Sequence, residues 1–121
     1  MDREKIKQSI KEWILEINRQ EALPKGIVAL NFGLFEPYGI ELIGAKNYDE
    51  NDEDWACEED FVPKLRICPR LEIPSSLEWE SVLELMINIL KELVVELKHV
   101  KLLQVSHITT GFCDGDLVAI K

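Results

Sequence analysis

The sequence is poor in cysteine, in histidine and in metal-binding motifs. Its three cysteines are Cys57, Cys68 and Cys113, and its two histidines are His99 and His107. An odd number of widely spaced thiols fits neither a disulfide framework nor a paired zinc motif. We therefore expect reduced thiols and no transition-metal site.

Long apolar runs are missing as well. The N-terminal residues Met1–Gln8 are charged from the start and lack both an apolar core and a small-residue cleavage site, so they do not resemble a secretory signal. The most apolar stretch, Val82–Leu97, is interrupted by Glu84, Asn88 and Lys91 and is too polar to span a bilayer. The sequence predicts a cytoplasmic protein without a membrane segment.

Motifs for catalysis and for cofactors are also absent. No glycine-rich phosphate loop is present, and no serine stands between nucleophile-elbow glycines. A calcium loop of the EF type can be laid over Asp49, Asn51, Glu53 and Asp60, but Asp54 stands where the tight turn requires glycine. We predict no cofactor, no metal and no catalytic residue, and hence a protein that is not an enzyme.

Basic residues are in deficit. The 121 residues include 14 Lys and Arg against 23 Asp and Glu, which gives a net charge of −9. Nucleic acids and anionic membranes are bound by neutralising phosphate with Lys and Arg, so this composition argues against both. A basic protein is the favoured partner.

One stretch holds most of the excess negative charge. Residues 48–62, here called the acidic segment, read YDENDEDWACEEDFV and contain eight carboxylates without any Lys, Arg or His. The remaining residues hold 15 acids (23 minus 8) against 14 bases and are nearly neutral. The functional question is therefore what this segment contacts.

Hydrophobic periodicity predicts two helices. Apolar residues recur at helical spacing from Asp2 to about Gln20, on one face only. Ser75 and Glu78 have the spacing of a capping box and introduce a longer helix that runs to about Lys98. Apolar residues cover most of its circumference, so we expect it to be buried on more than one side, in the core or at a subunit contact.

Strand signals occupy three regions. Ile27–Phe35 and Ile40–Lys46 flank the turn sequence at residues 36–39 and predict an antiparallel hairpin. Leu65–Ile73 alternates apolar residues with Lys64, Arg66 and Arg70, which predicts a half-buried strand whose basic face lies near the acidic segment and could neutralise part of it.

A second hairpin is predicted at the C-terminus around Asp114-Gly115, with Phe112 opposite Leu117 and Thr110 opposite Ala119. Residues 99–106 fit either helix or strand. The expected fold is a single α+β domain over residues 1–121, with an antiparallel sheet of four to five strands packed with two helices.

The acidic segment is the candidate partner-binding site. Carboxylates attract a basic protein over a long range, and an exposed tryptophan supplies an anchor at short range. The predicted contact residues are Asp49, Glu50, Asp52, Glu53, Asp54, Trp55, Glu58, Glu59 and Asp60. In the competing interpretation, Trp55 and Phe61 pin the segment to the core and the carboxylates only keep the protein soluble.

Two short motifs, DWAC at 54–57 with EDF at 59–61, and GFCDGD at 111–116, together with the long apolar helix, resemble small bacterial immunity proteins of polymorphic toxin systems. The resemblance implies a cytoplasmic, non-catalytic inhibitor that blocks the active site of a cognate toxin, often a basic nuclease. It places the contact on the acidic residues from Asp49 to Asp60 and on Trp55.

Two other functions fit the same residues. A small enzyme or ligand-binding protein would use a pocket between the long helix and the sheet, and a regulatory interaction module would bind a partner other than a toxin. In each case the chain is expected to be a monomer or a homodimer.

Overall fold

A computed structural model describes residues 2–121 of the chain. The elements are α1 (Arg3–Gln20), β1 (Ala29–Phe35), β2 (Gly39–Ala45), α2 (Trp79–Glu96), β3 (His107–Phe112) and β4 (Val118–Ala119), with short 3-10 helices at Glu53–Cys57 and Lys101–Leu103. Two helices with a four-stranded sheet confirm the predicted α+β class. Within residues 2–121, no helix is both long and apolar enough to cross a membrane.

Helix α1 forms as its periodicity predicts. The Asp2 carboxylate accepts a hydrogen bond from the Lys5 amide at 3.2 Å and caps the first turn. The buried face consists of the predicted apolar residues, namely Ile6, Ile10, Trp13, Ile14 and Ile17. The Trp13 indole N–H donates to the Leu65 carbonyl at 2.6 Å, so α1 also holds the irregular segment that follows the acidic one.

The sheet has the order β2-β1-β3-β4 and is mixed. Strands β1 and β2 form the predicted antiparallel hairpin, but β1 and β3 are parallel, with Ala29 opposite His107 and Leu34 opposite Phe112. The prediction of an entirely antiparallel sheet is therefore wrong. Turn residues identify pairing only between strands that a short loop connects, whereas β3 reaches β1 after a crossover that includes α2.

The strand predicted at Leu65–Ile73 does not form. Single bridges join Phe61 to Gly44 and Ile67 to Glu41, so this part of the chain only follows the outer edge of β2. Pro69 has no N–H to donate, and Arg70 has a left-handed φ of 59°, which ends the extended path. The segment covers the free edge of β2.

Helix α2 begins later than the capping-box spacing indicates. Glu78 is its N-cap residue and makes no side-chain capping bond, so the prediction of a start at Ser75 is wrong. The fully buried residues form one stripe, namely Val82, Met86, Ile89, Leu90 and Leu93, and Val95 is 70% exposed. The helix is packed on one side, against the sheet and α1, rather than enclosed.

The C-terminal hairpin forms, but its register differs by one residue from the prediction. Thr110 lies opposite Val118 and Thr109 opposite Ala119. The loop has three residues, Cys113–Gly115, because the Gly115 amide donates to the Phe112 carbonyl at 3.0 Å. The ambiguous residues 99–106 contain the short helix Lys101–Leu103.

The two faces of the sheet are covered differently. Both helices pack on the face that carries Leu30, Phe32 and Leu34, where the main core lies. The opposite face carries a small cluster built from Ala29, Ala45 and Trp55. The acidic segment therefore lies on the side of the sheet away from the helices.

Candidate functional site: an acidic surface with an exposed tryptophan

The acidic segment is anchored to the sheet by its aromatic residues. The Tyr48 ring stacks on the His107 ring, with centroids 3.7 Å apart and an interplanar angle of 5°. The Trp55 ring lies 5.2 Å from that of Tyr48 and is only 5% exposed, because it packs on Ala29 and Ala45. These small side chains leave room for an indole on the sheet.

The interpretation of Trp55 as an exposed anchor for a partner is therefore wrong. Its indole is used within the protein, and Phe61 is likewise buried at 7% exposure. The competing interpretation is confirmed in one part: Trp55 and Phe61 pin the segment to the core. Its other part, that the carboxylates only keep the protein soluble, stays a prediction.

Four of the eight carboxylates also hold the segment in place. Glu53 accepts a hydrogen bond from the Leu117 amide at 2.6 Å, and Asp60 accepts one from the Lys46 amide at 2.9 Å. Glu58 accepts one from the Asn47 side chain at 2.9 Å. The fourth, Glu59, pairs with the Arg66 guanidinium. Their partners are two residues that directly follow β2, the terminal hairpin and Arg66 beside the edge of β2, so these four carboxylates have a structural role.

The other four carboxylates are exposed and turned to solvent. Asp49 and Asp52 accept hydrogen bonds only from nearby backbone amides of the segment itself, those of Asn51 at 2.9 Å and Asp54 at 3.0 Å. Glu50 and Asp54 accept no hydrogen bond from residues 2–121. Their charge is available to a partner.

Neutralisation of the acidic segment by its own chain is limited to one residue. Of Lys64, Arg66 and Arg70, only Arg66 pairs with the segment; it contacts Glu59 and, at 3.3 Å, Glu41 of β2. Hydrogen bonds to Glu59 and then Glu41 raise the pKa of the Arg66 guanidinium. Within residues 2–121, the other seven carboxylates of the segment (8 minus 1) form no ion pair with Lys or Arg.

A groove of about 390 Å³ lies between the acidic segment and the open part of the sheet. Gly33 of β1 and Gly111 of β3 are opposite each other and contribute no side chain to its floor. Its other lining residues include Glu41, Arg66 and Cys57. The groove is on the face of the sheet away from α2, whereas the ligand-binding alternative expected a pocket between α2 and the sheet.

A smaller notch of about 240 Å³ does lie between α2 and the sheet, at the ends of the parallel strands. It is lined by Glu36, Trp79, Phe112, Asp114 and Gly115. Glu36 follows β1 and Asp114 follows β3, and because the carboxyl ends of parallel strands meet at one edge of a sheet, the two loops come together there. The groove and the notch share the lining residues Phe112 and Gly115 and are therefore neighbours.

Trp79 is the exposed tryptophan of this protein. It is 50% exposed and its ring meets the edge of Phe112, with centroids 6.1 Å apart at 84°. Sequence reasoning missed it because the capping-box prediction placed it inside a buried helix. Its neighbours Glu78 and Glu80 were the available signal, since an indole between two carboxylates at a helix start is seldom fully buried.

The cysteines divide into two exposed thiols and one buried thiol. Cys57 and Cys113 are exposed and line the groove, whereas Cys68 is buried under α1 and burial raises its pKa to about 12. Among residues 2–121, no group of three or more His, Cys, Asp or Glu side chains is arranged to hold a metal ion.

Comparisons with protein-family models, with curated proteins and with solved structures find no match for this chain. The function is therefore inferred from the geometry of the acidic surface.

Proposed function

We propose that the protein is a non-catalytic, cytoplasmic binding protein that inhibits a basic protein partner, in the manner of the immunity proteins that the sequence resembles. The contact surface is the solvent-facing side of the acidic segment. One observation carries the proposal: Asp49, Glu50, Asp52 and Asp54 project from a segment that is itself firmly attached to the sheet.

Rigidity is the reason why this arrangement suits binding better than a disordered acidic tail. A tail must lose conformational entropy when it binds, and this cost weakens the complex. Here Trp55, Tyr48 and the bond from Leu117 to Glu53 already order the segment. Its unpaired carboxylates then accelerate encounter with a basic surface by long-range attraction.

The surface extends beyond the acidic segment. The hydrogen bond between Glu53 and the Leu117 amide brings the segment against the terminal hairpin, whose Asp114 and Asp116 are exposed. Asp114 in turn lines the notch beside Trp79. We therefore assign the aromatic anchor to Trp79, beside this hairpin, rather than to Trp55.

Charge reversal at two positions tests the proposal. Glu50 and Asp54 accept no hydrogen bond from the described residues, so the variant E50K/D54K removes charge without removing an internal contact. The matched control is E12K/E84K on the helices, on the other face of the sheet; both variants change the net charge from −9 to −5, since each reversal adds 2. Wild type and control should capture the same basic protein from the source cell, and E50K/D54K should capture at least about tenfold less.

The inhibitory function has a separate readout. The captured protein is expressed in a bacterial host with and without the wild-type chain, and we expect growth arrest that the wild type relieves and E50K/D54K does not. Capture of a harmless partner would favour a regulatory interaction module. Equal capture by E50K/D54K and wild type would contradict the assignment of the surface.

A second candidate function, binding of a small ligand, is favoured by the groove. Its glycine floor suits a flat compound of metabolite size. Glu41, Glu53 and Glu59 line the groove, and Arg66 is already paired with Glu41 and Glu59, so the lining favours a neutral or cationic compound. A thermal-shift screen of such compounds tests this: a rise in Tm that the variant Gly33→Leu abolishes, by filling the floor, would support it.

A further inference from the structure

Trp79 is much more exposed than the other two tryptophans. Of the three tryptophans, Trp13 and Trp55 are 2% and 5% exposed, whereas half of Trp79 faces solvent. Its edge contact with Phe112 leaves the rest of the ring uncovered beside the notch. Exposed tryptophans that border a depression are favoured anchors in protein interfaces.

The charge around the notch is negative on each element that borders it. Glu36 comes from the end of β1, Asp114 from the terminal hairpin, and Glu78 and Glu80 from the start of α2. Burial raises the pKa of the Tyr38 hydroxyl, and the negative charges of Glu36, Glu80 and Glu78 near it raise that pKa further. None of the four forms an ion pair with a base in residues 2–121.

The helix dipole at the start of α2 determines which carboxylates keep their full negative charge for a ligand. The amino end of a helix carries a partial positive charge, which Glu78 and Glu80 complement. Glu36 and Asp114 lie across the notch, on loops without such a charge, and so their negative charge is not offset. A cation entering the notch would meet the Trp79 indole and these two carboxylates, which line the same depression.

We propose that the notch receives one arginine side chain of the basic partner, with its guanidinium stacked on the Trp79 indole and its N–H groups donated to Glu36 and Asp114. This inference rests on the proposed function and names what that partner presents. Arginine fits better than lysine because the planar guanidinium stacks on an aromatic ring and donates to two carboxylates at once.

Fluorescence with basic peptides tests the inference. The full chain is titrated with a nona-arginine peptide and, separately, with a nona-lysine peptide. Trp79 is the only exposed indole of the three, so quenching by acrylamide reports mainly on it. We expect nona-arginine to protect Trp79 from acrylamide and to bind more tightly than nona-lysine.

Variants of the notch give the decisive comparison. Trp79→Ala lacks the reporting indole, so peptide binding to all variants is measured by calorimetry. This substitution should weaken nona-arginine binding by roughly 2- to 30-fold, the range expected for loss of a cation–π contact. Trp79→Phe should recover part of the affinity, and E36Q/D114N should reduce it and narrow the preference for arginine over lysine. Val95→Ala, at an exposed apolar residue of the same helix, is the control and should bind as wild type does. Circular dichroism shows whether each variant is folded.

The failures of the two proposals are distinguishable. If E50K/D54K weakens binding of the basic partner but the notch variants bind it and nona-arginine as wild type does, the arginine assignment is overturned and the proposed function stands. If both peptides bind with equal affinity, and if Trp79→Ala lowers both affinities equally, the notch accepts any cation and the predicted preference for arginine is wrong. If no basic partner is captured at all, the proposed function fails, and with it the inference.

Discussion

Trp55 and Trp79 show how the same side chain serves opposite purposes in this protein. Trp55 lies on a platform of Ala29 and Ala45 and completes the small core of the second sheet face. Trp79 keeps half of its surface in water next to four carboxylates. The first residue therefore contributes to stability and the second is available for binding.

Alanine substitutions at the two tryptophans should separate these roles. We expect Trp55→Ala to lower the free energy of unfolding by about 3–5 kcal/mol, because it removes a buried ring and leaves a cavity. Trp79→Ala should cost only about 1 kcal/mol, the value of its edge contact with Phe112. Urea unfolding followed by circular dichroism measures both; equal losses would contradict the assignment of Trp55 to the core.

The buried thiol of Cys68 gives a prediction about reactivity. In the native protein, Cys57 and Cys113 are exposed and should react with Ellman's reagent within minutes at pH 8. Cys68 is 5% exposed and its pKa is raised to about 12, so it should react only after unfolding. Two fast thiols and one protected thiol are expected, and Cys68→Ala should remove only the protected one.

The same thiol makes stability depend on pH. In the unfolded chain a cysteine has a pKa of about 8.5, whereas in the folded protein burial raises the Cys68 pKa to about 12. The folded state thus holds its proton more tightly, so the stabilising effect is complete below pH 8.5 and declines as the pH rises toward 12. The free energy of unfolding, measured with urea, should fall between pH 8 and pH 10. The fall should be smaller in Cys68→Ala, which lacks this thiol.

At the scale of elements, the parallel pair of β1 and β3 shapes the candidate site. It places Gly33 opposite Gly111 on the groove floor, and it places the loops after both strands around the notch. The terminal hairpin constrains one of these glycines much more than the other. A Cβ added at Gly111 would lie 2.7 Å from the Asp116 carbonyl oxygen, whereas one at Gly33 would approach only side chains, those of Glu41 at 3.4 Å and Asn31 at 3.8 Å.

Alanine at each glycine tests this constraint. Gly111→Ala should destabilise the protein by about 1–3 kcal/mol, because a backbone oxygen must move to admit the methyl group. Gly33→Ala should be neutral or slightly stabilising, since alanine lowers the entropy of the unfolded chain and meets only an ordinary contact. Thermal unfolding of the two variants provides the comparison, and a larger loss at Gly33 would contradict the hairpin register.

At the scale of the whole molecule, charge is segregated between the two sides of the sheet. On the helical side, bases and acids pair: Lys7 of α1 bonds to Glu92 and Glu96 of α2, and Arg3 also bonds to Glu92. On the other side, seven carboxylates of the acidic segment have no basic partner within residues 2–121. Mutual repulsion among them opposes folding, while their external field favours a basic partner.

Salt should therefore act on folding and on binding in opposite directions. Raising NaCl from 0.05 to 0.5 M shortens the Debye length from roughly 14 to 4 Å, so it screens the repulsion within the acidic segment. We expect the Tm of the free protein to rise and the association rate with the basic partner to fall. In E50K/D54K both effects should be smaller. A Tm that falls with salt would contradict net repulsion.

Local patterns were sufficient for the elements whose residues contact one another along the chain. The period of α1, the first hairpin and the presence of a second hairpin follow from residues a few positions apart. The localisation of charge in residues 48–62 is likewise a property of composition. Helical spacing and turn chemistry are short-range effects, which is why one sequence sufficed.

Contacts between residues distant in sequence determined the features that local patterns did not predict. The parallel register of β1 with β3, the burial of Trp55 on Ala29 and Ala45, and the meeting of Glu36, Trp79 and Asp114 join positions tens of residues apart. No local pattern reports which of two tryptophans finds a platform, because burial depends on the space that other elements leave. The acidic segment is readable in the chain, but only the folded protein shows which of its carboxylates face outward and that the exposed indole is Trp79.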